Sequence, residues 1–127
     1  MNESRYKLKD LRVWQDARKL RNQISDIVDE FPGKEEYRLE DQMIRASRSV
    51  SANIAEGYGR FHYQENIQFC RQARGSLFEL LDHFTVALDE GYVDEKTNSD
   101  YRNKIFGLIK SINAYIKHLQ KKKSNSQ

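Results

Sequence analysis

The residues best suited to chemistry in this chain fall into four groups. They are an acid–imidazole run at Glu79, Asp82 and His83, a single thiol at Cys70, the turn Gly57-Tyr58-Gly59-Arg60, and a set of cations near the C-terminus. Glu79 and His83 stand four residues apart, with Asp82 three from Glu79, which puts them on one helical face, and di-iron helical bundles place Glu-x-x-His pairs inward from two helices. No second segment repeats the pair, and His62 and His118 stand alone, so the run is read as solvated surface groups and no metal ligands are assigned. Cys70 falls on an apolar stripe with no histidine within helical reach, so it is read as a small hydrophobe, not a nucleophile. The glycine turn lacks the preceding strand, the longer glycine spacing and the terminal Lys-Ser or Lys-Thr of a phosphate loop. It is read as a helix-to-helix corner in which Gly57 and Gly59 supply the left-handed backbone common at helix ends. Neither a cofactor nor an enzymatic activity is expected.

The cations are the more informative group. The formal charge is only +3, but it is unevenly spread: residues 1–33 hold 7 basic and 6 acidic residues, 34–60 hold 5 and 5, 61–91 hold 2 and 5, and 92–127 hold 8 and 3. At 100 degrees per residue Lys110, Lys117 and Lys121 fall within about 40 degrees of one another on a helix, and Lys104 is expected to extend that side. With Arg102, Lys122 and Lys123 they form a candidate surface for the phosphates of RNA or DNA, which need little more than such a density of charge. Asp41 precedes Arg45 by four residues and Glu56 precedes Arg60 by four, the favourable order for ion pairs along a helix. Arg48 has no such partner, so Arg48 and Arg60 join the candidate nucleic-acid contacts, with Arg48 the more available. Asn53 is read as a buried amide that sets helix register through hydrogen bonds.

These side chains need elements to hold them. A chain of 127 residues with 38% apolar and 32% charged residues and one proline fits a single, largely helical domain. Apolar residues recur at steps of three and four at Leu11, Trp14, Ala17, Leu20, Ile24, Ile27, Val28 and Phe31, a first helix with Asp10 as its candidate cap and Pro32-Gly33 as its stop. Residues 34–38 read as a connector. A second helix carries Leu39, Met43, Ala46 or Ser47, Val50 and Ile54, and ends near Gly57. The third carries Tyr63, Ile67, Cys70, Ala73, Leu77, Leu80, Leu81, Phe84, Ala87 and Leu88, with Gly91 as terminator. Gly75 interrupts it at the midpoint, where glycine costs about 1 kcal/mol against alanine, so a helix crossing or a subunit contact is expected there. After a polar turn at 94–99, a fourth helix shows Tyr101, Ile105, Leu108, Ile109, Ile112, Tyr115, Ile116 and Leu119. The expected fold is all-α, an antiparallel up-down-up-down four-helix bundle over residues 10–120, with flexible segments at 1–9 and 121–127. The lone cysteine, and the lack of a leader or a run of eighteen apolar residues, lead us to expect a cytoplasmic protein away from membranes.

The chain resembles the 23S rRNA intervening-sequence proteins. The resemblance is carried by Asp10-Leu11, Val13-Trp14-Gln15 and Ala17, then Phe31-Pro32, Glu36 and Leu39, then Gln42, Arg45-Ala46 and Ser49. Asn53-Ile54-Ala55-Glu56-Gly57 and Gly59-Arg60 follow, then Phe69, Ala73, Gly75-Ser76-Leu77 and Glu79, and Gly91-Tyr92 closes the set. It spans about residues 8 to 92, with the fourth helix matching in length and periodicity. The resemblance implies a four-helix bundle assembled as a homopentameric ring without known enzymatic activity. Trp14, Asn53, Glu56, Gly57, Gly59 and Gly75 are read as structural residues. A similar fold serves as the accessory protein of diversity-generating retroelements, which binds nucleic acid and a reverse transcriptase. In a ring the +3 of each copy would sum to roughly +15, and repeated lysines would engage a long polyanion multivalently. A protein-interaction scaffold that binds a protein partner and no nucleic acid is the alternative.

Overall fold

A computed structural model describes residues 7–33 and 36–126. A 3-10 turn, Leu8–Asp10, leads into α1, Arg12–Val28. A π-helical turn, Glu36–Glu40, opens directly into α2, Asp41–Tyr58, and is followed by α3, Tyr63–Asp89, and α4, Glu95–Asn125. The fold is an all-α, antiparallel four-helix bundle, and no strand occurs among the described residues. Helix α1 packs on α2 and α4, and α3 packs on α2 and α4, so α2 and α4 occupy opposite corners.

The apolar stripes meet in one core. Ile24, Val28, Met43, Ile54, Leu77, Leu80, Phe84, Ile105 and Ile112 are essentially sealed from water. Phe84 stacks on Tyr101 with ring centroids 4.8 Å apart, and the Tyr101 hydroxyl donates to the Gln23 carbonyl at 3.0 Å, tying α4 to α1. Phe31 is buried beyond the end of α1 and meets Tyr92 at 5.5 Å.

Several boundaries differ from the sequence reading. Asp10 does not cap α1: it closes the 3-10 turn, and Leu11 takes the N-cap position without a side-chain hydrogen bond. Helix α1 ends at Val28, short of Pro32-Gly33. The polar stretch 94–99 is the first turn of α4 instead of a loop, because the Asp94 carboxylate accepts the Thr97 N–H at 2.7 Å as an N-cap. That bond holds the Asp94 carboxyl below its usual range. At the other end, residues 121–125 continue α4, in place of a flexible tail starting at 121. Of the N-terminal segment, residues 1–6 lie outside the described residues, as do 34 and 35 of the connector and 127.

The glycines exchange their expected roles. Gly75 is exposed, and a Cβ built on it would meet nothing within 4 Å, so no helix of this chain crosses there. The close approach is at Gly57, inside α2, where a Cβ would lie 2.7 Å from Asn66 Oδ1, 2.9 Å from Phe69 Cβ and 3.1 Å from the Asn66 carbonyl oxygen. Gly59 caps α2 with φ −78°, so the α2–α3 corner turns without left-handed backbone. The left-handed position is Gly91, φ 78°, where Tyr92 N–H donates to Ala87 C=O at 2.8 Å and Gly91 N–H to Leu88 C=O at 3.0 Å. This paired return of N–H groups to the last turn closes α3 where Gly91 was expected to.

Candidate nucleic-acid interface

Residues 101–127 contain seven basic residues and no acidic one, which leaves 15 basic and 19 acidic residues in the first hundred. The chain therefore divides into a C-terminal segment, most of it α4, carrying formally +7 and a remainder carrying −4. None of the seven is ion-paired among the described residues: every carboxylate partner within 4.0 Å belongs to Arg12, Arg45, Arg60 or His83. Lys110, Lys117 and Lys121 are exposed and share the outward face of α4, opposite its buried stripe. They span roughly 16 Å of helix axis.

Lys104 departs from that line. Six residues turn a helix to about 120 degrees from Lys110, so Lys104 lies on the α1 flank, where its Nζ sits 4.8 Å from the Tyr101 ring centroid. There it lines a cleft of about 250 Å³ with Asp16, Lys19 and Ser111. Lys122, five full turns further along, shares this flank. Lys123 turns toward α3 and donates to Gln64 Oε1 at 2.8 Å.

The two arginines are placed apart. Arg48 is exposed and unpaired among the described residues, but it stands on α2, at the corner opposite α4. Arg60 lies at the same end of the bundle as the C-terminus of α4. It is held between Glu56 at 3.9 Å and Glu65 at 3.7 Å, with its guanidinium 5.0 Å from the Phe69 ring centroid. The i,i+4 pairs expected from sequence are present, Arg45 meeting Asp41 at 3.8 Å and Arg60 meeting Glu56. All are surface pairs, worth about 0–1 kcal/mol each.

Asn53 is half-buried, and its amide donates to the carbonyl and hydroxyl oxygens of Ser49 on its own helix, at 2.9 and 3.0 Å. It does not bridge helices directly. The bridge is Ser49, whose Oγ lies 2.9 Å from Ser76 Oγ on α3. Around that contact Gln42, Arg45, Ser49, Ser76 and Glu79 line a polar groove of about 340 Å³. Trp14 is partly buried against the core and carries the Arg18 guanidinium 6.0 Å from its ring centroid.

The catalytic candidates resolve into local pairs. His83 Nε2 lies 3.0 Å from Glu79 Oε2, and among the described residues no three His, Cys, Asp or Glu side chains gather as a metal site. Cys70 is sealed in the core, where burial pushes its thiol from 9.0 up to about 11. At pH 8 it should therefore resist iodoacetamide in the folded protein and react only on unfolding, a contrast read by mass spectrometry with and without denaturant. The raised value also makes the folded state hold this proton more tightly than the unfolded chain does. The stability this contributes is complete below about 9 and is lost as pH rises to about 11.

The sequence reading missed Asn66. It is buried under Gly57, donates from Nδ2 to the Tyr115 hydroxyl at 3.2 Å, and accepts the Cys70 thiol on Oδ1 at 3.6 Å. Burial raises the Tyr115 phenol, with the Asn66 bond acting against that rise. The hint in sequence was an amide one residue before Ile67, at the edge of the apolar stripe. Also unread as a group were Phe61, His62 and Tyr63, exposed beside Arg60.

The family model for 23S rRNA-intervening sequence proteins matches residues 9–114, five-sixths of the chain. The chain belongs to that family. The match reaches well into α4, beyond the residues that carry the resemblance in sequence. A similar solved structure is a protein of unknown function from the S23 ribosomal protein family of Bacteroides thetaiotaomicron. It is 17% identical, covers 83% of this chain and 95% of its own, and superposes with a TM-score of 0.77. At that identity the likeness speaks for the fold, so this intervening-sequence protein shares its four-helix architecture. No curated protein matches the chain. No helix among the described residues is long and apolar enough to cross a membrane.

Proposed function

We propose that this intervening-sequence protein is a non-enzymatic, cytoplasmic homo-oligomer, a pentameric ring, that binds RNA or DNA through the lysine face of α4. The observation that carries the reading is the run of seven cations over residues 101–127 with no acidic residue among them and, among the described residues, no carboxylate paired to any. Cations answered by carboxylates have little left for a ligand, whereas Lys110, Lys117 and Lys121 are exposed and available to phosphate. Symmetry would repeat the face around the ring and convert weak single contacts into avidity. Gly75, exposed in the protomer, provides room for a neighbouring backbone. Lys123 extends the face at the α2–α3 end, where Arg60 would join it only by exchanging Glu56 or Glu65 for phosphate, and Arg48 reaches the same polyanion by way of a neighbouring protomer.

The test is a salt titration of binding to a mixed-sequence RNA, with light scattering on the same sample, which should give a mass well above 15.1 kDa. Replacing Lys117, Lys121, Lys122 and Lys123 with alanine should reduce the slope of log affinity against log salt by about 3, since each lost phosphate contact removes roughly 0.7–0.9. No binding at low salt, or an unchanged slope, would sink the reading. In that event the second reading takes its place, a scaffold for a protein partner, favoured by Phe78 and Val86 on α3 and Phe106 on α4, all exposed.

A further inference from the structure

Two phenyl rings stand in water on either side of the α3–α4 seam. Phe78 on α3 is 53% exposed and Phe106 on α4 is 43% exposed. The seam is fixed by Arg74, which donates to Asn113 Oδ1 across it at 2.6 Å, and by the stack of Phe84 on Tyr101. Phe78 lies about 40 degrees round α3 from Arg74, and Phe106 about 20 degrees round α4 from Asn113, so both rings flank the seam. The helices run antiparallel, and counting from the two contacts puts the rings within about one turn of the same level. Leu81, packed against the core, continues the apolar strip on α3. Cations border the strip. Arg71 and Arg74 precede Phe78 by two turns and by one, and Arg102 and Lys110 stand one turn to each side of Phe106. None of the four meets a carboxylate within 4.0 Å among the described residues. Within two turns of either ring, Asp82 is the acid on this face: Glu79 turns to the groove shared with α2, and Asp100 lies about 120 degrees round α4 from Phe106.

We propose that this seam is the docking groove for an acidic amphipathic helix of a partner protein. A groove between two packed helices takes a third whose apolar residues recur every three to four positions, here to meet Phe78, Leu81 and Phe106. Carboxylates flanking that stripe accept from Arg71, Arg74, Arg102 and Lys110, in charge-assisted bonds at the rim of the apolar contact. Charge decides the partner: four cations to one acid attract an acidic helix and repel a basic one. A second copy seated on the same face would set these cations against one another. The rings suit aliphatic side chains better than stacked bases, because the Arg102 guanidinium already stands 5.7 Å from the Phe106 ring centroid. The inference goes beyond the nucleic-acid reading and does not depend on it. Lys117, Lys121, Lys122 and Lys123, whose replacement tests that reading, lie three or more turns beyond Phe106.

The probe is a designed helical peptide of about 20 residues with leucine at every third and fourth position and glutamate and alanine between. Two controls accompany it, one with lysine in place of glutamate and one with serine in place of leucine. Binding of each to the full chain is followed by fluorescence anisotropy at physiological salt. The acidic leucine peptide should bind at least about tenfold tighter than either control. Phe78→Ser combined with Phe106→Ser should remove that advantage, and Phe106→Leu should keep it. Arg102→Glu, which leaves both rings in place, should weaken the acidic peptide and tighten the lysine one, so the test stands even if the double variant unfolds. Circular dichroism and light scattering follow fold and mass. Absence of binding, equal binding of the lysine peptide, or a folded double variant that binds like the parent overturns the proposal. A lower mass for the folded double variant also overturns it, by making the seam a contact between copies, and so does weaker RNA binding by that variant, which gives the seam to nucleic acid. A protein that takes the acidic peptide and no RNA loses the α4 reading and keeps this one.

Discussion

Gly57→Ala should destabilise the protein by about 2 kcal/mol, read as a lower urea midpoint at an unchanged m-value. Two effects compete. Alanine is the better helix former by about 1 kcal/mol, and Gly57 lies inside α2, so propensity alone predicts stabilisation. Against it, the new methyl would sit 2.7 Å from Asn66 Oδ1, 2.9 Å from Phe69 Cβ and 3.1 Å from the Asn66 carbonyl. Phe69 Cβ and the carbonyl are fixed to the α3 backbone and cannot swing aside, and the Asn66 amide is short, buried and hydrogen-bonded. The α2–α3 seam must open, and overpacking of this kind costs about 1–3 kcal/mol, with the upper end expected where backbone has to yield. A variant as stable as the parent would mean that the two helices slide apart without penalty, contrary to this account.

Asn66→Asp should be more damaging, about 3–4 kcal/mol at pH 7, although the two side chains are nearly the same shape. The Tyr115 hydroxyl can turn to donate to the new carboxylate, and the Cys70 thiol already donates there, so hydrogen bonding survives. What is lost is charge compensation, since among the described residues no cation bonds Asn66 and the site is buried. Burial raises the folded-state pKa of the new carboxyl above its unfolded value of about 3.9. The folded state then binds the proton more tightly than the unfolded chain. The variant should approach parental stability below about pH 4 and lose up to about 1.4 kcal/mol per pH unit as pH climbs toward the folded-state pKa. Denaturation at pH 4 and pH 7 checks the sign. A deficit that did not grow with pH would show that lost packing, not buried charge, is the cause.

The two substitutions sit at the same contact, and that contact separates what sequence reveals from what it hides. The stripes of α2 and α3 are legible because burial on a helix repeats every three to four residues, and Ile54, Ile67 and Leu77 declare themselves by type and spacing alone. Gly57 and Gly75 do not. Both are glycines in helices, and the penalty against alanine is the same for each until a neighbour is placed beside one of them. Asn66 is equally silent, because an amide beside an apolar stripe is ordinary on a surface and becomes a core residue only when Tyr115, 49 residues away, closes over it.

The candidate interface divides in the same way. The excess of positive charge after residue 92 and the alignment of Lys110, Lys117 and Lys121 are properties of one helix and were visible in the chain. That Lys104 faces α1, that Arg48 stands across the bundle from α4, and that Lys123 comes beside Phe61 are relations between helices.

By itself, then, the sequence determined the elements: four amphipathic helices, the ion pairs four residues apart, the Gly91 terminator and the acid-poor character of the last helix. Each is local, fixed within one or two turns by periodicity, propensity and charge order. The tertiary structure alone decided which glycine admits a neighbouring backbone, which amide is buried, and which cations share a face with aromatic rings. Those outcomes depend on segments tens of residues apart coming within a few ångströms, and no local preference of the chain encodes that distance.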